Sequence, residues 1–293
     1  MATDPQHDVM QQHYELGNEA ARLSSTGAGR LEFERTQEIL LRHLPQPPAT
    51  IADIGGGPGR YALWLARLGY RVVHRDLVPL HVEQVRAAVA VESSVPAESS
   101  VAGNGAGVAG APRPLVESAV GDARSLDLDH ASADAVLLLG PLYHLTRRED
   151  RVQALREAGR VVRPGGPVFA AAISRWAARL DGMLRLRLYE QNPNVGDLME
   201  TLERTGVLPP LVPGGFNGFT HRPGQLRAEF ASADLDVADL VSVEGAAYLL
   251  NDLDDRATDE RAWRVILDTA RAHERVPELM GLGSHLLATG FRR

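Results

Sequence analysis

The strongest constraint on the fold is a glycine-rich loop between an apolar stretch and an amphipathic one. Residues 51–60 of the 293-residue chain read IADIGGGPGR. The pattern predicts a strand over residues 50–54 and a helix over residues 59–68, with the glycines in the turn between them. Glycines let such a turn adopt positive φ and let a ligand approach the backbone. Because the helix N-terminus also directs free N–H groups at that ligand, the segment predicts a nucleotide-type binding site.

The same alternation of short apolar runs and amphipathic stretches continues along the chain. It is typical of βαβ units, which build a parallel sheet covered by helices on both faces. We therefore expect a doubly wound α/β domain. The expected strands cover residues 50–54, 71–76, 115–120, 133–140, 167–173, 237–244 and 285–291, and the expected helices cover residues 59–68, 79–89, 147–162, 223–232 and 259–273.

Three segments depart from this alternation. Residues 1–48 are expected to form an N-terminal helical cap of two helices, and residues 49–293 the main domain. Residues 91–113 repeat ESSV and are otherwise mostly Gly, Ala, Val and Pro, so we expect a flexible, low-complexity surface loop without a catalytic role. Residues 174–222 do not fit a simple crossover, and we expect them to be a mostly helical insertion after the fifth strand that forms a lid.

The composition lacks two amino acids that many enzymes need. All 31 basic residues are Arg, and the chain contains no Cys. Without Lys, the chain cannot form a pyridoxal Schiff base or grip a phosphate with a P-loop lysine. Without Cys, it has no thiolate nucleophile, disulfide or thiolate zinc site. Enzymes that depend on a Schiff-base lysine, a P-loop lysine, a catalytic cysteine or cysteine-bound zinc are therefore excluded.

Charge and hydropathy indicate where the protein acts. The 38 acidic residues give a net charge of −7, which is a poor match for a nucleic-acid backbone. No apolar run is long enough to cross a bilayer, and the first residues lack the basic and apolar regions of a signal peptide. We expect a cytoplasmic monomer or homodimer that acts on a small molecule, without a nucleic-acid or membrane partner.

Two kinds of cofactor fit the glycine loop. Residues 57–62 satisfy the dinucleotide pattern G-x-G-x-x-A, which favours a nicotinamide-dependent oxidoreductase. In a second register, Asp53 ends the first strand and is followed by Gly55, Gly57 and Gly59 at alternate positions. A carboxylate at that point would crowd a pyrophosphate but suits a ligand that carries an ammonium group. Both registers remain open on these residues alone.

Four further short motifs follow the glycine loop in order. Asp76 ends the second strand, and GDA at 121–123 follows the third. DAV at 134–136 opens the fourth strand, and RPGG at 163–166 follows the next helix, with Arg where Lys is usual. With the D-x-G-x-G-x-G loop, this series resembles the class I S-adenosylmethionine-dependent methyltransferases. The resemblance implies S-adenosylmethionine as the cofactor and a seven-stranded, mostly parallel Rossmann-like sheet.

The resemblance also implies which residues bind the cofactor. The loop residues Asp53, Gly55, Gly57 and Gly59 would hold its methionine end, and Asp76 its ribose. The further cofactor-binding residues that it implies are Asp122 and Ala123 at the adenine, Leu139 near the end of the fourth strand, and Arg22, which pairs with the cofactor carboxylate or is simply an exposed helical residue.

Additional segments are similar to small-molecule methyltransferases of actinobacterial type. They are Tyr14 with Glu19, Arg22 and Leu23, Leu31-Glu32 with Arg35-Thr36, GPLYHL at 140–145, and SHLLA at 284–288. This similarity implies that the methyl acceptor is a small molecule.

Methyl transfer from a sulfonium is an in-line displacement, in which the protein mainly aligns the nucleophile and excludes water. A base is needed only when the nucleophile arrives protonated. His144 is the candidate base, because it follows the fourth strand at the carboxyl edge of the sheet and an imidazole titrates near neutrality. The alternative is that His144 packs against the cofactor. Tyr14 is a second candidate catalytic residue, since the N-terminal helix can reach over the cofactor.

The acceptor pocket is expected to contain Tyr143, Arg175, Trp176 and Arg222, which supply aromatic and cationic groups around the lid. Gly140 has no side chain to accept from the exocyclic amine of a DNA base, which argues against nucleic acid. No HExxH or two-His-one-carboxylate spacing occurs, so no metal site is expected. The expected function is methyl transfer to an O or N nucleophile. The alternatives are an NAD(P)-dependent oxidoreductase and a non-catalytic S-adenosylmethionine-binding protein.

Overall fold

A single mixed sheet forms the centre of the protein. The computed structural model describes Leu23 and residues 25–94, 115–209 and 217–292, and within these ranges nine strands belong to the sheet. The strands are β1 Thr50–Ile54, β2 Arg71–Asp76, β3 Val116–Val120, β4 Ala135–Leu138, β5 Pro167–Ser174, β6 Val207–Leu208, β7 Gly218–His221, β8 Leu235–Ser242 and β9 His285–Arg292.

The strand order creates a crevice at the carboxyl edge. Strands β1 to β5 are parallel and lie in the order β3-β2-β1-β4-β5. The chain winds outward in one direction from β1 to β3 and in the other from β4, so the order reverses between β1 and β4. Doubly wound folds bind ligands outside the carboxyl ends of the strands at such a reversal. On the far side, β9 runs antiparallel to β5, and β8 runs antiparallel to β9.

The doubly wound, mostly parallel α/β fold is confirmed, but the expected number of seven strands is wrong. All seven predicted strands are present, and the structure adds β6 and β7 inside residues 174–222. Strand β7 pairs in parallel with the last two residues of β5, and β6 pairs antiparallel with β7. These strands are only two and four residues long, too short for an alternating pattern to reveal.

Helices cover both faces of the sheet. On β4, Ala135 and Leu137 point into a core shared with α1 and α2, while Val136 and Leu138 point into a core shared with α5 and α8. This alternation is what a strand buried on both faces requires. The helices are α1 Gly27–Leu41, α2 Arg60–Arg67, α3 Pro79–Ser94, α4 Pro141–His144, α5 Arg148–Val161, α6 Ala177–Arg179, α7 Val195–Thr205, α8 Pro223–Ser232, α9 Leu253–Arg256 and α10 Glu260–His273, with a π-helical segment Leu180–Arg185 and 3₁₀ turns Leu188–Glu190, Gly245–Leu249 and Met280–Leu282.

The predicted segment boundaries have different outcomes. The helix expected over 79–89 continues to Ser94, so the first four residues of the predicted 91–113 loop are helical. Residues 95–114 and the first predicted helix of the N-terminal cap lie outside the described residues. The second cap helix is present as α1, and Ile39 and Leu40 bury it against the sheet. Within the described ranges, no helix is long and apolar enough to span a membrane.

Candidate functional site

The glycine loop joins β1 to α2 at the carboxyl edge of the sheet. Gly55, Gly57 and Gly59 have φ angles of 65°, 57° and 83°. These angles lie in the left-handed region that other residues adopt only with strain. A Cβ on Gly59 would in addition meet Val85 Cγ2 at 2.5 Å. The backbone itself therefore requires glycine at these alternate positions.

Asp53 lies beneath the loop and is completely buried. Neither of its carboxylate oxygens has a hydrogen-bond partner among the described residues. Burial and the nearby charge of Asp76 raise the pKa of Asp53 to about 7, because they outweigh the Ala62 backbone N–H, which lowers it but lies outside hydrogen-bond geometry. A buried carboxylate without a partner is costly. The position therefore suits a ligand that brings a cationic group to Asp53.

Asp76 ends β2 and supports the loop from below. Its Oδ2 accepts a hydrogen bond from the Gly57 N–H at 2.8 Å, and its Oδ1 accepts one from the Val78 N–H at 2.9 Å. His81 Nδ1 lies 3.0 Å from the same Oδ1. Burial alone would raise the pKa of Asp76, but the hydrogen bonds from His81, Val78 and Gly57 outweigh burial and lower it. Asp76 thus stays ionised, and its contact with a ribose stays a prediction.

His74 also holds the loop and was missed by the sequence reasoning. Its ring is fully buried, with Nε2 at 3.0 Å from the Gly57 carbonyl oxygen and Nδ1 at 2.9 Å from Ser118 Oγ. Burial lowers the pKa of His74. In the neutral ring Nε2 must carry the proton, because the carbonyl can only accept. No spacing motif marks this residue, which looks like an ordinary member of a buried strand.

Asp122, Ala123 and Leu139 lie at neighbouring strand ends. Asp122 comes two residues after β3, and its carboxylate accepts the backbone N–H of Arg124 at 2.9 Å and pairs with the guanidinium of Arg124. Ala123 packs against the α5 side of the core, and Leu139 packs against the α1 side. Asp122 and Ala123 follow β3, which borders β2, and Leu139 follows β4, which borders β1. All three therefore lie at the same edge of the sheet as the glycine loop. Their roles at an adenine stay predictions.

The short helix α4 packs directly on the glycine loop. A Cβ on Gly140, its N-cap residue, would lie 2.8 Å from the carbonyl oxygen of Gly55. The rings of Tyr143 and His144 are 4.8 Å apart, and both are partly buried. The structure therefore brings the candidate base and a candidate acceptor-binding residue to the edge of the loop.

The residues expected in the lid differ in what they contact. Arg175 is 1% exposed and donates hydrogen bonds to the carbonyls of Thr220 and Glu203, so it holds the insertion together. Trp176 is 37% exposed, and Arg222 is exposed at the start of α8. All three follow β5 or β7 at the carboxyl edge. Only Trp176 and Arg222 present side-chain surface, and the three acceptor-binding assignments stay predictions.

The remaining motif residues lie away from the loop or outside the described residues. Tyr14 and Arg22 are among the latter, so their predicted roles stay predictions. Asp134 and Arg163, from the 134–136 and 163–166 motifs, form an ion pair with each other. Asp134 also accepts the Thr50 N–H at 2.7 Å. These two motifs therefore join β1, β4 and the end of α5 at the amino edge of the sheet.

A buried ionic network joins the turn after α4 to α8 and the end of β7, and it could not be recognised in the sequence. Arg151 on α5 pairs with Glu229 on α8 at 2.6 Å and donates to the carbonyls of Leu145 and Thr146. Glu229 Oε2 lies 3.1 Å from His221 Nε2 at the end of β7. Burial raises the pKa of Glu229, but the contacts with His221 and Arg151 outweigh it and lower the pKa. The network fixes the turn that follows His144.

The residues around the loop fit S-adenosylmethionine. Asp53 offers a buried anion for an ammonium group, and the N-terminal N–H groups of α2 suit a carboxylate. Asp76 and Asp122 follow at the ends of β2 and β3, the positions for which the sequence predicts contacts with a ribose and an adenine. A dinucleotide would instead bring a pyrophosphate toward Asp53, where like charges repel. The donor set therefore favours an amino-acid-bearing nucleoside over a dinucleotide.

Comparison with known proteins agrees with S-adenosylmethionine as the ligand that these residues fit. Residues 52–170 match the family model described as a methyltransferase domain. Over 176 residues the chain is 29% identical to the ubiquinone/menaquinone biosynthesis C-methyltransferase UbiE of Caulobacter vibrioides. That match covers 57% of this chain and 59% of the relative, so the chain spans less than two thirds of the curated proteins it matches.

Solved structures share the fold. An S-adenosylmethionine-dependent methyltransferase from Methanosarcina mazei is 16% identical, with a TM-score of 0.54, and the match covers 87% of this chain and 96% of that one. A Haloferax volcanii methyltransferase, solved in complex with the Trm112 methyltransferase activator, is 19% identical, with a TM-score of 0.54 and 96% of each chain covered. At these identities the likeness shows the fold alone.

Proposed function

We propose, from the match of residues 52–170 to a methyltransferase-domain family model and from the shared fold, that the chain is a class I S-adenosylmethionine-dependent methyltransferase. In this proposal the whole chain transfers a methyl group from this cofactor to a small molecule. The acceptor atom in this proposal is an O or N nucleophile. The curated relative is named as a C-methyltransferase, so a test must include carbon nucleophiles as well. We propose that the protein acts in the cytoplasm, as a monomer or homodimer and without nucleic acid.

Asp53 is the observation that carries the proposal. Among the described residues, it is a fully buried carboxylate without a hydrogen-bond partner, at the base of a loop whose glycines admit a ligand. An ammonium group would supply the missing partner and the missing countercharge. S-adenosylmethionine has such a group at its methionine end, whereas a nicotinamide dinucleotide has none there.

In this proposal, the loop residues bind and orient the cofactor. S-adenosylmethionine supplies a methyl group on a sulfonium, which is already electrophilic. Asp53 holds the ammonium, while Asp76 and His74 fix the N–H and the carbonyl of Gly57 so that the loop keeps its shape. Such preorganisation matters because alignment of the reacting atoms can supply roughly 7–11 kcal/mol of the barrier.

Residues of α4 act on the acceptor. His144 takes the proton from an acceptor hydroxyl or amine, and Tyr143 lies against it as part of the pocket wall. The network of Arg151 holds the carbonyls of the two residues that follow His144. Trp176 and Arg222, and in this proposal Tyr14 and Arg22, complete the acceptor and cofactor pockets. Leu139, directly before Gly140 and α4, supplies an apolar wall of the cofactor site.

Two cofactor titrations test the proposal. S-adenosylhomocysteine and NADPH are titrated separately into the full chain by calorimetry, and again into Asp53→Asn. Saturable binding of S-adenosylhomocysteine is expected, about tenfold or more weaker in Asp53→Asn because a charged hydrogen bond is lost. Binding of NADPH without S-adenosylhomocysteine would refute the proposal. A methyl gain on an acceptor, detected by mass spectrometry, separates an enzyme from a non-catalytic binding protein.

A further inference from the structure

A second group of polar side chains lies at the carboxyl edge, across the sheet from the glycine loop. His285 Nδ1 is 2.5 Å from Glu244 Oε1 and 4.0 Å from Glu32 Oε2. One ligand atom from each of the three residues lies within 4.8 Å of the other two. Glu244 is 2% exposed, and the side chains of His285 and Glu32 are 18% and 15% exposed. Two carboxylates and an imidazole thus share one sheltered position.

Three separate elements bring these residues together. Glu244 follows β8, and His285 begins β9 opposite Ile173 near the end of β5. Glu32 lies in the first half of α1, which reaches the carboxyl edge because α1 ends shortly before β1 begins at the amino edge. The backbone N–H of His285 donates to Glu244 Oε2 at 2.9 Å, which orients that carboxylate. The fold itself therefore places the three donors.

We propose that Glu32, Glu244 and His285 bind a first-row divalent transition metal ion, such as Mn²⁺, Co²⁺ or Zn²⁺. Mixed oxygen and imidazole donors suit these ions, whereas Mg²⁺ and Ca²⁺ take oxygen ligands. Metal–ligand distances of about 2.0–2.2 Å place donor atoms roughly 3.0–4.4 Å apart, a range that includes the 4.0 Å between His285 and Glu32. The hydrogen bond of 2.5 Å between His285 and Glu244 would have to open as the metal replaces its proton. Three protein ligands leave coordination positions open for an acceptor oxygen or nitrogen.

A buried hydroxyl also lacks a partner four residues after Glu244, within the part of the chain that the structure describes. Tyr248 lies on the 3₁₀ turn that follows Glu244, is 5% exposed, and its hydroxyl has no hydrogen-bond partner among the described residues. Burial, with the charges of Asp181 and Glu244, raises the pKa of Tyr248. Asp181 belongs to the π-helical segment of the insertion, a distortion that is frequent at functional sites. The charge of Glu244 acts on this phenol, so the buried hydroxyl and the cluster share one electrostatic environment.

The position of the cluster indicates a role toward the acceptor. Only β5 separates β9 from β4, and neighbouring strands lie about 4.8 Å apart. His285 pairs with Ile173, three residues further along β5 than Ala170, which pairs with the end of β4. The cluster is therefore offset from the start of α4 by roughly 10 Å across the strands and about 10 Å along them. A metal ion there would hold a polar group of the acceptor while another part of it reaches α4. This role rests on the proposed function, but metal binding itself does not.

Metal titration of the full chain tests the site. Protein freed of metal with a chelator is titrated with CoCl₂, and the optical spectrum reports ligation by imidazole. One Co²⁺ per chain is expected to bind. Glu32→Gln and His285→Gln should each weaken binding about tenfold or more, because each replaces a carboxylate or imidazole ligand by a neutral amide, which is a weaker donor. Glu34→Gln, two residues along α1 and paired with Arg30 and Trp263, is the matched control and should bind as the unaltered chain does.

The outcomes separate this proposal from the proposed function. Absence of saturable Co²⁺ binding, or equal binding by Glu32→Gln and His285→Gln, would overturn the metal site. S-adenosylhomocysteine is titrated into the same samples, and its retained binding shows that the variants are folded. A chain that binds Co²⁺ at these residues but not S-adenosylhomocysteine would refute the proposed function and leave the metal site standing.

Discussion

At the scale of single residues, Gly57 shows how the site is built before any ligand arrives. Its N–H is held by Asp76 and its carbonyl by His74, while its φ of 57° requires glycine. Both supporting side chains come from β2, at positions one strand away from the loop. A loop fixed in this way loses little entropy when it binds a ligand.

Substitution of Gly56 tests the tight packing beneath the glycine loop. A Cβ on Gly56 would overlap the carboxylate of Asp53 and lie 2.7 Å from His74 Cδ2. Gly56→Ala is therefore expected to displace Asp53 and to weaken S-adenosylhomocysteine about tenfold or more, as measured by calorimetry. Gly224→Ala, where a Cβ meets nothing within 4 Å, is the control and should leave affinity unchanged. Equal affinity in the two variants would contradict the packing described here.

His144 is tested by separating turnover from cofactor binding. His144→Ala should lower kcat by roughly 10²–10⁴-fold, the usual range for a general base, with little change in S-adenosylhomocysteine affinity. The measurement is methyl transfer to an acceptor found in the mass-spectrometric search, across a range of pH. Unchanged turnover at every pH would remove His144 from the mechanism and favour a packing role.

At the scale of elements, the β1–loop–α2 unit could be predicted from the sequence because local residues determine it. Alternating glycines, an apolar strand and an amphipathic helix all lie within residues 50–68, whereas the choice between the two cofactor registers needed the further motifs along the chain. The hairpin of β6 and β7 could not be predicted, since its pairing depends on the end of β5 and its strands are very short. The clusters of Arg151 and Glu244 were missed because their members are far apart in sequence.

Substitution of Arg151 tests the coupling between the turn after α4 and helix α8. Arg151→Ala leaves Glu229 buried without its main countercharge, so unfolding free energy should fall by about 3–5 kcal/mol. Urea denaturation measures this loss. Arg148→Ala is the matched control, because Arg148 also reaches from α5 to α8 but is exposed, and it should change stability by no more than about 0.5 kcal/mol. A similar loss in both variants would show that the network does not stabilise this region.

At the scale of the whole molecule, the candidate functional residues lie along one edge of the sheet. The glycine loop, α4 and the Glu32–Glu244–His285 cluster all lie at the carboxyl ends of parallel strands or beside them. A chain without Lys and Cys suits this arrangement, because the cofactor supplies the electrophile and no covalent nucleophile is needed. The acceptor itself could not be predicted, since the side chains that face it come from segments joined only in the folded protein.

The pH dependence of cofactor affinity tests the central claim most directly. The pKa of Asp53 is raised to about 7 in the free protein, so Asp53 must lose a proton to bind an ammonium group at lower pH. S-adenosylhomocysteine affinity should level off between about pH 7 and about pH 8, where the ligand amine is still protonated, and should fall below that range, approaching tenfold per pH unit. Asp53→Asn should bind more weakly and without this dependence. Affinity of the unaltered chain that is equal at about pH 6 and about pH 8 would contradict the assignment of Asp53 to the ammonium of the cofactor.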